Sequence, residues 1–92
     1  MGLDFEWDKR KAETNREKHG IAFEEASSVF DDPLAIIFDD EEHSDEELRE
    51  IIVGHSSDGR LIIVSFTERG ESLVRIISAR KVTRHERQDY EE

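Results

Sequence analysis

Apolar positions along this chain follow two different periods, and the changes between them mark out its elements. Leu3, Phe5 and Trp7 alternate with Asp4 and Glu6, the two-residue period of a half-buried strand. Asp8 is a capping residue, the segment from Lys9 to about His19 reads as a helix, and Gly20 stands where a left-handed residue would end it. From Phe23 the spacing changes to three and four residues, with Phe23, Ala26, Ser27 and Phe30 forming the narrow apolar stripe of a second helix that Pro33 stops. Ala35 to Phe38 is a short β-prone run, and Asp39 to Glu47 reads as a mobile acidic loop.

Beyond the loop the pattern is β. Arg49 to Ser56 and Leu61 to Thr67 flank Ser57-Asp58-Gly59-Arg60, and an Asp-Gly pair between two β-branched runs is a strong hairpin signal. A second turn, Glu68 to Glu71, leads into Ser72 to Ser78, and Thr83 with Glu86 has the capping-box spacing of a closing helix. The expected order is β-α-α-β-β-β-β-α, one α+β domain over residues 1–92. Its mostly antiparallel sheet carries helices packed on one face, because narrow apolar stripes need a sheet to lie on.

Composition narrows the function classes. Cysteine is absent, which removes disulfides, a thiol nucleophile and cysteine-held zinc, and favours a reducing compartment. The start lacks the apolar run of a signal peptide and no stretch approaches a membrane span, so a cytoplasmic protein is expected. No phosphate-binding loop, nucleophile elbow or dinucleotide fingerprint occurs, and the acids after Phe38 and the four histidines (19, 43, 55, 85) lack metal-ligand spacing. No cofactor or metal is expected.

Charge is unevenly placed. The net charge is -11, and residues 21 to 50 hold twelve acids against Arg49 alone, yet Leu73 to Gln88 holds Arg75, Arg80, Lys81, Arg84 and Arg87 against Glu86 alone. Such a patch suits phosphate, or salt bridges to the acids. Glu86 reads either as a general acid or base or as the capping-box glutamate, and Tyr90, four residues on, as a phosphate donor or an amphipathic tyrosine closing the core. Arg80, Arg84 and Arg87 share a face if the helix extends back to Arg80. Lys18-His19-Gly20 reads as a helix C-terminus favouring cations, or as a proton-transfer and phosphate site beside Arg80. Phe5 and Trp7 read as core more readily than as base-stacking platforms.

Phe5-Glu6-Trp7-Asp8, Asn15 followed by Lys18-His19-Gly20, Phe23-Glu24-Glu25-Ala26, Phe30 with Asp32-Pro33, Arg49, Gly54, Ile77-Ser78-Ala79-Arg80, Glu86-Arg87 and Tyr90, in this order, resemble the BrnT family of type II toxin–antitoxin systems. The resemblance spans nearly the whole chain. It implies a fold similar to RelE-type ribonuclease toxins, metal-independent RNA cleavage that inhibits translation, and neutralisation by a BrnA-type antitoxin through which alone operator DNA would be bound. The matched positions and their chemistry together nominate Lys18, His19, Arg80, Glu86 and Tyr90 as catalytic, and Arg49, Arg75, Lys81, Arg84 and Arg87 as RNA-binding. The alternative is a catalytically weak protein acting as co-repressor with a DNA-binding antitoxin. A net charge of -11 sits uneasily with RNA binding unless the basic patch or a ribosome recruits the substrate.

Overall fold

The computed structural model describes residues 2–41 and 48–91; most of the acidic segment expected to be mobile, 42 to 47, lies outside them. Strand β1 (Asp4–Trp7) leads into helix α1 (Lys9–His19) and α2 (Phe23–Ser28), which tightens into a 3-10 turn, Val29–Asp31. Strands β2 (Ile36–Asp39), β3 (Glu50–His55), β4 (Leu61–Glu68) and β5 (Leu73–Lys81) follow, and α3 (Arg84–Glu91) closes the chain. Among the described residues these strands make one sheet of order β1-β5-β4-β3-β2, antiparallel except for the parallel β1–β5 pair. The α+β class and the element order are those expected from the sequence.

Local signals account for the element ends. Asp8 accepts a hydrogen bond from the Lys11 amide at 3.0 Å, and Gly20 takes φ 72°, a left-handed conformation that costs glycine nothing. Gly54 answers a different need: a Cβ there would lie 2.9 Å from that of Ala35 and 3.1 Å from Val29 Cγ1, so only glycine lets the segment after α2 close onto β3.

The core lies between the sheet and α1–α2. Ile21, Phe23, Ala26 and Val29 bury against Ile52, Ile62, Val64, Phe66, Val74, Ile76 and Ala79. Phe5 and Trp7 belong to this packing, Phe5 against Phe30 at 5.1 Å and Trp7 edge-on to Phe23 at 5.9 Å between ring centroids, so both act as core aromatics. The Glu25 carboxylate joins the two halves, accepting from Ser56 Oγ at 2.7 Å and from the Arg60 guanidinium, whose Nη2 also reaches the Gly20 carbonyl.

Packing on one sheet face holds for α1 and α2, while α3 lies against the other. Val53, Ile63 and Ile36 stand opposite one another across three strands and so share a face, and it is there that Glu86 and Tyr90 of α3 meet them. Strand β5 also runs three residues further than its apolar alternation indicated. Arg80 pairs with Ile63 and Lys81 with Ile62, and α3 starts only at Arg84, so Arg80 is a strand residue and shares no helical face with Arg84 and Arg87.

Candidate functional site

Two arginines of the C-terminal quarter, Arg75 and Arg80, are committed to protein carboxylates. Arg75 Nη1 donates to Glu6 at 2.8 Å across the β1–β5 pair. Arg80 forms a two-point pair with Glu86, both bonds 2.9 Å, and donates to the Lys81 carbonyl at 3.2 Å. Glu86 meanwhile caps α3, accepting from the Thr83 amide at 2.9 Å while Thr83 Oγ1 accepts from the Glu86 amide at 3.2 Å, so the capping box forms as its spacing predicts. Its bonds to the Arg80 guanidinium, and then to the Thr83 amide, hold the Glu86 carboxyl down at about 2. A carboxylate that acidic holds Arg80 in place well and accepts protons poorly near neutrality.

Tyr90 is half-buried, and its hydroxyl donates to the Leu34 carbonyl at 3.1 Å, fastening α3 to the segment before β2. Its ring stands 6.3 Å from that of His55, whose backbone amide donates to Asp32 at 2.8 Å. Asp32's bonds to the backbone amides of His55 and Leu34 lower its carboxyl below the usual range. Lys81 and Arg84 are exposed, whereas Arg49 and Arg87 engage further partners.

Lys18 and His19 occupy a second location. They line a groove of about 340 Å³ between α1 and the edge of β5, with Arg10, Lys11 and Thr14 on the helix and Ile77 and Ser78 on the strand. No acid lines it. Among the described residues Arg10, Lys11 and Lys18 form no ion pair. The groove exists because β1 stops opposite Ile76, leaving the edge of β5 beyond it without a strand partner. Asn15 fills that place: its side-chain amide donates to the Ala79 carbonyl at 2.9 Å and accepts from the Ala79 amide at 3.0 Å, as a neighbouring strand would, and also donates to the Ile21 carbonyl at 3.0 Å. Helix α1 is thereby seated on β5 with Arg10, Thr14, Lys18 and Lys11 fanned along its outer side.

The five nominated catalytic residues therefore fall into two sets, Lys18 with His19 and Arg80 with Glu86 and Tyr90. Ser78 joins them, lining the α1 groove and lying two residues before Arg80 on the same face of β5. Sequence reasoning missed Arg10, Lys11 and Ser78. A helical projection carried part of the signal, since residues 10, 14, 18 and 11 fall on one side of α1 with Glu13 off it, although Glu17 projects beside Arg10.

Residues 7–86 match the family model of the BrnT ribonuclease toxin of type II toxin–antitoxin systems. The fold is similar to that of the Brucella abortus ribonuclease toxin BrnT, known from a crystal structure at 1.1 Å, with TM-score 0.68 and 24% identity over 89% of this chain and 99% of that one. No curated protein matches the sequence. With a family match over most of its length and this topology, the chain belongs to the BrnT family of ribonuclease toxins of type II toxin–antitoxin systems.

Proposed function

We propose that this chain is an active endoribonuclease that cuts RNA without a metal, inhibits translation in the cytoplasm and is kept silent by a BrnA-type antitoxin, which alone contacts operator DNA. The observation that carries the reading is the acid-free groove of Arg10, Lys11, Lys18 and His19, running to Ser78 and toward Arg80. On a chain of net charge -11 it is a place where a phosphate backbone would meet cations alone.

RNA carries its own nucleophile. The 2'-hydroxyl attacks the adjacent phosphorus, the bond from phosphorus to the 5'-oxygen breaks, and a 2',3'-cyclic phosphate and a 5'-hydroxyl result. The protein must accept the 2' proton, supply one to the departing oxygen and stabilise the charge gathering on phosphate. In this reading neutral His19 accepts, the Lys18 ammonium donates, and Arg80 faces the phosphate. Glu86 serves as the positioning residue for Arg80 and Tyr90 as the tie that keeps α3 in place. Arg49, Arg75, Lys81, Arg84 and Arg87 contribute longer-range attraction, reduced at Arg75 because Glu6 neutralises it.

The test is cleavage of a short single-stranded RNA in the presence of a chelator, alongside growth on induction. The parent protein should cleave and slow growth. Arg80→Ala should lose on the order of 100-fold in rate or more, because a preorganised cationic donor acts mainly in the transition state. Its melting temperature should stay close to the parent's, since a half-exposed pair adds little stability. Glu86→Gln keeps an acceptor for the Thr83 amide and should cost less. If Glu86→Gln is as inactive as Arg80→Ala and loses the acidic limb of the pH profile, Glu86 is the base after all. A folded parent that neither cleaves nor slows growth would sink the enzymatic reading and leave the co-repressor.

A further inference from the structure

Strand β2 ends the sheet and is unlike a protected edge. All four of its residues are exposed, Ile36 by 49%, Ile37 by 52% and Phe38 by 49%, and Leu34 just before it by 77%. Natural edges are commonly blunted with charged side chains, proline or a bulge, and here Ile, Ile and Phe fill three of the four positions, with Asp39 at the end. The backbone phase is also fixed. The Asp40 amide donates to the Arg49 carbonyl at 2.9 Å, so in an antiparallel ladder Phe38 and Ile36 turn their N–H and C=O groups toward β3, and Ile37 and Asp39 turn theirs away from the sheet. Beside this edge, under α3, runs an apolar trough of about 310 Å³ floored by Ile36, Phe38, Val53 and Ile63. Its lining includes Glu86 and Asp89 but no lysine or arginine, and exposed Asp39 and Glu41 stand at the end of β2.

We infer that the β2 edge and this trough receive an extended, cationic segment of the neutralising antitoxin. The segment adds as a strand beside β2, with alternate apolar side chains entering the trough and intervening Lys or Arg facing Asp39 and its neighbouring acids. This rests on the reading that the chain has such a partner. The surface selects the occupant by charge and by backbone. RNA phosphate finds no cation in the trough and carboxylates at its rim. A second copy of this chain brings its own charge of -11 to the same edge. A strand of opposite charge satisfies the two outward-turned backbone positions and covers the exposed apolar side chains together.

The experiment uses the antitoxin encoded beside this chain in its own operon, titrated calorimetrically into the purified protein, parent and variants. The parent should bind. Phe38→Asp and Ile36→Asp should each weaken binding roughly 30-fold or more, as expected for truncating a central apolar anchor. Leu3→Asp, at the far edge of the sheet and 43% exposed, should leave it within about 3-fold, the scale of a peripheral residue. Hydrogen exchange on the parent needs no variant to fold: the Ile37 and Asp39 amides should slow at least tenfold on binding, about the effect of one new hydrogen bond. No binding by the parent defeats the antitoxin reading itself. Tight binding with unchanged exchange at Ile37 and Asp39, or with unaltered affinity in both aspartate variants, places the interface elsewhere and overturns the inference alone.

Discussion

The groove along α1 and the trough beneath α3 are close in size, about 340 and 310 Å³, and are cut into the same sheet, yet their chemistry is opposite. Among the described residues the first has Arg10, Lys11, Lys18 and His19 on its walls and no acid; the second has Glu86 and Asp89 over a floor of Ile36, Phe38, Val53 and Ile63 and no arginine or lysine. Segregation of this kind lets an acidic protein meet two ligands of opposite charge at separate places. A toxin silenced by a partner can therefore be bound through the trough without the partner having to resemble RNA.

Destroying the support of one groove should have the largest effect. Asn15 is 6% exposed and satisfies both backbone groups of Ala79 and the carbonyl of Ile21. Asn15→Ala leaves these groups inside without partners and should cost about 3 kcal/mol or more, read as a drop in urea midpoint. A loss below about 1 kcal/mol would mean water replaces the side chain and that α1 is seated by packing alone.

Next comes the cationic wall. Arg10→Glu with Lys11→Glu should weaken binding of a non-cleavable single-stranded RNA and reduce the slope of log affinity against log salt by about 0.7 for each phosphate no longer neutralised. Antitoxin affinity should not change. An unaltered salt slope would remove the α1 groove from the RNA path, and a matching fall in antitoxin affinity would show that the two regions are one site.

The sequence disclosed the two regions unequally. Capping residues and strong local periods made α1, the Asp-Gly hairpin and the Thr83–Glu86 box readable, because each depends on neighbours within a few positions. Gly54 and Asn15 could be named as family positions, but their reasons, a close approach of Ala35 and Val29 and the missing neighbour of Ala79, arise only when distant segments meet. The basic run from Arg75 to Arg87 left phosphate and salt bridges both open for the same reason. In three dimensions Glu6 and Glu86 occupy two of its charges, while Arg10 and Lys11, near the other end of the chain, carry an open face.

Acid should separate the two regions further. Glu86, held near 2 against an ordinary 4.5, binds fewer protons folded than unfolded between those values, so its contribution to stability is present above about pH 4.5 and is lost as pH falls toward 2. Glu86→Gln should flatten that limb of the stability profile while leaving the plateau near neutrality lower by no more than about 1 kcal/mol, as for other half-exposed pairs. A limb unchanged in the variant would assign acid sensitivity to Asp32 and Glu25 instead, whose carboxyls are also lowered.

The smallest effect has the opposite sign and lies at the acidic end of β2. Glu50 pairs with Asp39 across β2–β3, and its carboxyl is raised from 4.5 to about 7, first by sharing a hydrogen bond with Glu68, then by burial and by the charges of Glu68 and Asp39. A raised carboxyl binds more protons folded than unfolded, so between about pH 4.5 and 7 stability should fall as pH rises. Glu50→Gln should remove this decline and raise stability at pH 8 by on the order of 1 kcal/mol, the discount for solvent screening included. In complex with a cationic strand beside β2 the parent should show the decline no longer, because positive charge near Asp39 and Glu50 stabilises the carboxylates that repel one another in the free protein. Denaturation followed at pH 5 and pH 8, free and bound, measures both. A decline that persists in the complex would mean that the partner's charge does not reach this end of the edge.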